Sequence, residues 1–338
     1  MKKGLLLVIA LITFMVMTAC GGSKNNESDG SSSSDADAAD GEKTYQIGAT
    51  QIVEHPSLDA AYQGFQDALE DADLNVEYDL QSAQGDQNNV TPIANNFVAD
   101  QVDLIFANST PSALGAVQAA DDIPIVFTSV TDAVEAGLVE SMDQPGDNIT
   151  GVVDLHPDAI KKTVQFIADN FEEANVGLVY NAGEQNSVTQ IEAVKNAADG
   201  TDLSFAERTV ANSAEVQQAA QSLVGKADVF YIITDNTVVS ALDSVVGVAN
   251  EQDIPMIVGE PDSLEKGGFA TFGIDYESIG YRTGEMAAEI LKGNKKPSEI
   301  AVEHPQEIQL FINKQAAEEQ GVEWNDEWDE NAEILKAE

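Results

Sequence analysis

From residue 44 onward, short apolar stretches alternate with segments in which apolar residues recur at helical spacing. Residues 45–50 form one such short stretch, which predicts a strand. Residues 57–70 follow with a single apolar face at a period of 3.6, which predicts a helix. That face is formed by Leu58, Ala61, Phe65, Ala68 and Leu69. The same order of strand and helix continues to about residue 128.

A looser stretch runs to about residue 155, and the alternation then restarts. Strands separated by helices of about 10–15 residues predict parallel sheets with helices on both faces. Residues 102–126 and 228–258 also share a pattern, in which an apolar strand, a Ser-Ala-Leu helix segment and a strand opened by Ile-Pro follow one another. The shared pattern indicates that one strand–helix–strand unit is used twice in the chain. The alternative is a general likeness, because any two such units have features in common. Both interpretations predict an α/β fold of two similar Rossmann-like lobes with parallel sheets.

The first 43 residues have a different character. Two lysines at positions 2 and 3 precede an apolar run over 5–17, which is too short to cross a bilayer but fits a secretory signal. Residues 17–20 resemble a bacterial lipoprotein cleavage box, and Cys20 is the only cysteine in the chain. We expect a signal peptide over 1–19, lipidation of Cys20 and a flexible tether over 20–43. The alternative is an ordinary signal with an unrelated cysteine.

The charge is strongly negative, with 59 acidic against 16 basic residues and a formal net charge of −43. Binding to nucleic acid requires clustered cations, so we expect no nucleic-acid partner. A single cysteine excludes a disulfide within the chain and a thiolate cluster, and three histidines leave little material for a metal site. We therefore expect no metal and no cofactor.

Small polar side chains follow nearly every expected strand. Open α/β sheets bind ligands beyond the carboxyl ends of their strands, and two facing lobes form a cleft there. Any one of these side chains is explained by helix capping, but together they predict a ligand site. The candidate ligand-binding residues are Gln51, His55, Asn108, Ser109, Thr110, Ser129, Thr131, Asp132, Asn181, Glu184, Ser187, Asp235, Asn236, Thr237, Asp262 and Asp275.

Residues 44–322 resemble a solute-binding protein of an ABC transporter with the type I periplasmic-binding-protein fold. Within that class they are similar to the family of tryptophan- and tyrosine-binding components. The segments that carry the resemblance are 47–56, 97–100, 123–132, 213–223, 234–237 and 273–276.

The resemblance implies two lobes joined by a three-strand hinge, with crossings near 150–157, 275–278 and 302–307. Lobe 1 would comprise 44–155 and 277–303, and lobe 2 would comprise 156–276 and 304–322. Beyond the segment that carries the resemblance, the acidic residues of 323–338 predict an acidic C-terminal tail or helix.

The implied function is that of the extracytoplasmic, membrane-anchored binding component of an importer. It would capture a small solute, an aromatic amino acid first of all, and deliver it to a permease with its ATPase subunit. The chain has no nucleophile elbow, P-loop or dinucleotide-binding fingerprint, and we expect no enzymatic activity. The alternatives are a nucleoside- or sugar-binding protein of the same fold, a ligand-sensing surface lipoprotein, or an interaction protein without a cleft ligand.

For an amino-acid ligand, the sequence suggests specific partners. The only two arginines, Arg208 and Arg282, lie outside the strand-end segments, so hydroxyls and backbone N–H groups would hold the ligand carboxylate. Thr110, Ser129 and Ser187 are the candidates for that role. The first candidate for the ligand ammonium is Asp235, and the alternatives are Asp132 and Glu184.

Overall fold

The computed structural model describes residues 43–335. The expected signal peptide, the expected lipidation site at Cys20 and nearly all of the expected tether lie outside the described residues. The twelve strands are β1 Thr44–Gln51, β2 Asn75–Ser82, β3 Leu104–Asn108, β4 Ile125–Val130, β5 Ile149–Val153, β6 Asn175–Tyr180, β7 Ser204–Thr209, β8 Val229–Ile232, β9 Met256–Val258, β10 Ala270–Gly273, β11 Gln309–Asn313 and β12 Glu333–Leu335.

Twelve α-helices accompany these strands in the described part of the chain. They are α1 Pro56–Asp71, α2 Val90–Asp100, α3 Thr110–Ala119, α4 Ala159–Asn170, α5 Gln185–Ala197, α6 Val216–Gln221, α7 Asn236–Val239, α8 Leu242–Glu251, α9 Pro261–Glu265, α10 Tyr276–Leu291, α11 Lys314–Glu319 and α12 Trp328–Asn331. Short 3-10 turns lie at Gln87–Asn89, Ser213–Glu215 and Pro297–Glu299. Within residues 43–335, no helix has the length and apolar character that a membrane crossing requires.

The strands form two sheets, one in each lobe. The first has the order β2-β1-β3-β4-β5 and is parallel throughout. The second has the order β12-β11-β10-β9-β8-β6-β7, in which only β10 and β11 pair antiparallel. The central strands are buried on both faces, so their apolar runs are continuous rather than alternating. The predicted α/β fold of two parallel-sheet lobes is confirmed.

The chain passes between the lobes three times: after β5, after β10 and before β11. Two of these crossing segments are tied together by a bridge between Val152 and Glu303, and Arg282 holds Glu303 through two hydrogen bonds of 2.9 and 2.7 Å. Helix α10 packs on α1 of lobe 1 so closely that a Cβ on Gly64 or Gly280 would collide with the facing backbone. This contact fixes the start of α10, beside the hinge, to lobe 1.

The C-terminal residues form the short helix α12 and the strand β12, both of which pack on lobe 2. Trp328 of α12 is 6% exposed and packs against Phe166 and Phe269. Strand β12 pairs with β11, so residues up to 335 extend the sheet of lobe 2. Burial of a large aromatic side chain favours this docking over a solvated acidic tail.

Candidate functional site

The carboxyl ends of the strands in both lobes face a cavity between the lobes, which we call the cleft cavity. Lobe 1 contributes seven lining residues: Val53, His55, Ser57, Leu58, Thr110, Ser129 and Thr131. Lobe 2 contributes Asn186, Thr234, Asn236, Val239 and Glu260. Asp154 and Tyr276, on two of the crossing segments, complete the lining. None of the described lining residues is a lysine or an arginine.

His55 is the N-cap of α1, and its Nδ1 accepts the N–H of Ser57 at 3.3 Å. The proton of a neutral imidazole therefore sits on Nε2. Burial lowers the pKa of His55, which keeps the ring neutral near pH 7. Its Nε2 is buried without a hydrogen-bond partner. Glu260 Oε1 lies 3.9 Å from this Nε2, too far for a hydrogen bond, so the N–H is available to a ligand in the cleft.

Ser129 lies at an irregularity of the first sheet. The pairing of β4 with β5 shifts register between Phe127 and Val130, and Ser129 adopts a positive φ of 55°. Such a conformation is costly for a residue with a side chain, and local backbone strain is concentrated at functional sites. The Ser129 side chain is 6% exposed, and its Oγ is buried without a hydrogen-bond partner. The bulge therefore turns an unpaired hydroxyl toward the cleft.

Asp154 and Tyr276 place a carboxyl group where the hinge meets the cleft. The Tyr276 hydroxyl donates to Asp154 Oδ2 at 3.1 Å. Burial raises the pKa of Asp154 to about 6, and this hydrogen bond only partly offsets the effect. The free energy of its ionised form is therefore high, and a cation in the cleft would lower it.

On the lobe 2 side, residues at the N-termini of helices line the cleft. Glu260 caps α9 by accepting the N–H groups of Asp262 and Ser263, and it also accepts the Ser57 hydroxyl of lobe 1 at 2.7 Å. Asn186, in the first turn of α5, is 2% exposed, and its Oδ1 lacks a partner. Unpaired buried polar atoms are uncommon in native proteins, so His55, Ser129 and Asn186 together mark a place for a polar ligand.

The lobes touch across this cavity at several points. Besides the Ser57–Glu260 bond, Ser57 contacts Asp262, and Gln190 Nε2 donates to Thr131 Oγ1 at 3.3 Å. Farther out, Gln87 Nε2 donates to the Gly183 carbonyl at 3.3 Å. The cleft is therefore closed in this structure.

Five of the sixteen candidate residues line the cleft cavity, namely His55, Thr110, Ser129, Thr131 and Asn236. The other eleven do not line it, and each hydrogen-bonds within the protein. This group consists of Gln51, Asn108, Ser109, Asp132, Asn181, Glu184, Ser187, Asp235, Thr237, Asp262 and Asp275. Asp275 caps α10 and lies on a different groove, beside Arg282.

Asp235, the first sequence candidate for an ammonium partner, is fully buried and does not line the cleft cavity. Its Oδ2 accepts Asn181 N and Ser187 Oγ, both at 2.6 Å, and its Oδ1 accepts Val238 N at 2.8 Å. Glu184 likewise accepts hydrogen bonds from the backbone N–H groups and the side chains of Asn236 and Thr237. These two carboxylates hold the loop after β8 in place, because a polar strand end needs internal partners once it is buried.

Sequence reasoning did not select Ser57, Asp154, Asn186, Glu260 or Tyr276. Asn186 and Glu260 lie in segments that follow strands. The presence of polar side chains after predicted strands could therefore have identified them. Asp154 and Tyr276 could have been found by considering which side chains on the expected crossings can reach the cleft. Within residues 43–335, no group of three His, Cys, Asp or Glu could hold a metal ion.

Comparison with known proteins agrees with this architecture. The family model for ABC transporter substrate binding proteins matches residues 46–335. The chain is 42% identical over 320 residues to a tyrosine-binding protein of Clostridioides difficile, a match that covers 93% of this chain and 90% of that protein.

Two solved structures resemble the chain to different extents. An ABC domain from Streptococcus pneumoniae in complex with L-Trp has a TM-score of 0.82 at 31% identity. A ligand-free, open substrate-binding protein with adhesive properties from Clostridium difficile has a TM-score of only 0.64 at 39% identity. Each match covers 87% of this chain and all of the other. The lobes are thus arranged more as in the tryptophan complex, in agreement with the closed cleft. The chain belongs to the ABC transporter substrate-binding protein family.

Proposed function

We propose that this protein is the extracytoplasmic binding component of an ABC importer and that it captures an aromatic amino acid, tyrosine or tryptophan, in the cleft cavity. It would deliver the ligand to a membrane permease driven by an ATPase subunit. The observation that carries the proposal is the pairing of the Asp154 carboxyl, on the hinge, with unpaired donors on lobe 1. That combination suits a zwitterion.

The ligand ammonium would bind Asp154. This carboxyl accepts a single side-chain hydrogen bond, from Tyr276, and part of it faces the cavity. A nearby cation favours ionisation of a carboxyl, so an ammonium would stabilise the charged form that burial disfavours. The interaction is strong because the closed cleft excludes water and lowers the local dielectric.

The ligand carboxylate would bind lobe 1 through neutral donors. His55 offers an Nε2–H group and Ser129 a hydroxyl, and neither makes a hydrogen bond within the protein, although Glu260 Oε1 lies 3.9 Å from His55 Nε2. Thr110 lines the cleft cavity at the start of α3 and would add its hydroxyl as a further neutral donor. This assignment keeps Thr110 and Ser129 from the sequence hypothesis, adds His55 and moves the ammonium from Asp235 to Asp154.

A ligand held in this way would touch lobe 1 and the hinge at once. Its binding energy would then favour the closed form, because the open form cannot make both sets of contacts. The transporter would recognise the closed form. The expected anchor at Cys20 would keep the protein at the extracytoplasmic face of the cell membrane.

Calorimetry with tyrosine and two truncated analogues tests the proposal. Tyramine lacks the carboxylate, and 3-(4-hydroxyphenyl)propionate lacks the ammonium. We expect tyrosine to bind and each analogue to bind at least about 30-fold more weakly, since each leaves a buried polar cluster without its partner. A screen of nucleosides and sugars is the control. Clear binding of a nucleoside or sugar, with no binding of any amino acid, would favour the alternative ligand class, and turnover of a ligand would indicate an enzyme.

The anchor has a separate test. Metabolic labelling with a radioactive fatty acid should mark the wild-type protein and leave Cys20→Ala unlabelled. Equal labelling of the two proteins would exclude Cys20 as the lipidation site.

A further inference from the structure

A groove on the hinge is lined by all three crossing segments, and we call it the hinge groove. Val152 comes from the first crossing, Ile274 and Asp275 come from the second, and residues 303–307 come from the third. The first two turns of α10 complete the lining. The groove has a volume of about 590 Å³, and none of its described lining residues also lines the cleft cavity. It is therefore a separate place for a small molecule.

The buried part of the hinge groove is apolar. Val152, Ile274 and Ile279 line the groove and belong to one buried cluster, and Pro305 adds a buried ring from the third crossing. A pocket of roughly 300–1,000 Å³ with mostly apolar walls and a few polar groups is typical of sites that bind small organic molecules. The hinge groove has that size and that character.

The exposed rim of the hinge groove carries an excess of negative charge. Arg282 is the only lysine or arginine among its described lining residues. The guanidinium donates to both carboxylate oxygens of Glu303, at 2.9 and 2.7 Å, and to Glu285 at 2.8 Å, so its charge is matched within the protein. Asp275 and Glu307 also line the groove, both are exposed, and neither forms an ion pair within residues 43–335. Two unpaired carboxylates therefore lie beside apolar walls.

We propose that the hinge groove binds a small organic cation with an apolar body, such as an alkylammonium ion, and that this molecule favours the closed form. Its apolar body would lie against Val152, Ile274 and Ile279, where removal from water stabilises it. Its positive end would face Asp275 and Glu307. An anion of the same shape would meet the same two carboxylates and would be repelled. This site is additional to the proposed ligand site in the cleft.

The position of the hinge groove accounts for the expected effect on closure. Hinge residues absorb the change in backbone angles when two lobes move, so lobe movement alters a groove whose walls are the crossing segments. The bridge between Val152 and Glu303 joins the first and third crossings within its wall. A molecule that fits the groove of the closed form binds that form more tightly and shifts the population toward it. Because coupling between two sites is reciprocal, the groove ligand and the cleft ligand would strengthen each other's binding by the same factor.

Calorimetry with three probes that share a hexyl chain tests the site. Hexyltrimethylammonium is the cation, 1-hexanol is the neutral probe and hexane-1-sulfonate is the anion. Each is titrated into the wild-type protein alone and into the protein saturated with tyrosine, which keeps the probes out of the cleft. We expect the cation to bind at least about ten-fold more tightly than the anion, with hexanol between them. Equal binding of the three probes, or no binding of the cation, would overturn the inference.

Two variants locate the site. Glu307→Gln removes one unpaired carboxylate, so it should weaken the cation by about three-fold and keep hexanol within about two-fold of wild type. Gln306→Trp, at an exposed position in the lining, should fill the groove and weaken both probes by at least about ten-fold. Glu192→Gln and Gln218→Trp, at exposed positions of lobe 2, are the matched controls and should bind as wild type does. Wild-type binding of the cation by Gln306→Trp would show that it lies elsewhere and would overturn the inference.

The effect on closure has its own measurements. Saturating hexyltrimethylammonium should raise tyrosine affinity by at least about five-fold, and tyrosine should raise the affinity for the cation by the same factor. In small-angle scattering, the cation should reduce the radius of gyration of the tyrosine-free protein. Neither change should occur in Gln306→Trp. Binding of the cation that changes neither tyrosine affinity nor the radius of gyration would overturn the inference.

These results separate the inference from the proposed function. Failure of the wild-type protein to bind any amino acid would overturn the proposed function, and cation binding and scattering would still decide the inference. Tyrosine binding without cation binding would overturn the inference and leave the proposed function standing.

Discussion

Asp154, which is half-buried, and Asp235, which is fully buried, both have raised pKa values, and they differ in how many hydrogen-bond partners the protein gives them. Asp235 accepts three hydrogen bonds from Asn181, Ser187 and Val238. Asp154 accepts one side-chain hydrogen bond, from Tyr276, and lines the cleft cavity. A perturbed pKa by itself therefore does not identify a binding group. The group with unused hydrogen-bonding capacity and access to a cavity is the one that a ligand can reach.

Asp154→Asn should show the largest effect on binding. The substitution keeps the size of the side chain and removes the charge, so we expect amino-acid affinity to fall by at least about 30-fold. Calorimetry with tyrosine measures this. Asp143→Asn, at an exposed turn, is the matched control and should bind as wild type does. Wild-type affinity in Asp154→Asn would place the ammonium elsewhere.

Asp235→Ala should show the reverse pattern. It removes the acceptor of three buried donors, and we expect the free energy of unfolding to fall by about 2–4 kcal/mol. Tyrosine affinity of the folded fraction should change by less than about three-fold. Urea unfolding followed by circular dichroism measures the first quantity, and calorimetry below the transition measures the second. A loss of binding without a loss of stability would return Asp235 to the role of ammonium partner.

The pH dependence of binding separates the two carboxyls further. The pKa of Asp154 in the ligand-free protein is about 6, so protons compete with the ligand ammonium below that pH. Tyrosine affinity should be constant above about pH 7 and fall by up to about ten-fold per unit below pH 6. In Asp154→Asn this dependence should disappear. An equally steep dependence in both proteins would assign it to another group.

Asp154 and Asp235 also make the free energy of unfolding depend on pH, and both act in the same direction. Each has a folded pKa above its value in an unfolded chain, so the folded state binds the proton more tightly. For Asp235 the causes are burial and then the charge of Glu184, which raise its pKa to about 7. Its contribution to the free energy of unfolding should be largest below about pH 4 and decline as the pH rises toward 7. Asp235→Asn should lose that decline, which urea unfolding at several pH values would reveal.

The smallest effect is expected from Ser57→Ala. This substitution affects closure of the cleft and leaves Asp154 and Asp235 unchanged. The Ser57 hydroxyl joins lobe 1 to Glu260 of lobe 2 across the cleft. Its loss should weaken the binding of every ligand by about three-fold and enlarge the ligand-free protein in small-angle scattering. Ser278→Ala, at the exposed start of α10, is the control and should leave both quantities unchanged. An effect on one ligand alone would make Ser57 a specificity residue.

Part of the lining of the cleft cavity could be anticipated from the strand ends, because open α/β sheets expose their carboxyl ends to the cleft. That rule selected His55, Thr110, Ser129, Thr131 and Asn236, and these five residues line the cavity. It could not rank them, because a polar residue after a strand can equally cap the following helix. Ser109 and Asp235 do so, and their side chains are used within the protein.

The sequence by itself determined the two-lobed α/β architecture, since apolar periodicity and Ile-Pro strand starts depend on local residue order. It also determined the strong negative charge and the polar character of the strand ends. Only the tertiary structure decided which carboxyl faces the cleft. Asp154, Tyr276 and Glu260 are far apart in the chain, and they meet because the crossing segments and the α1–α10 contact hold both lobes around them. Whether a polar side chain has a hydrogen-bond partner within the protein depends on residues that are distant in the chain. A local sequence pattern therefore does not predict it.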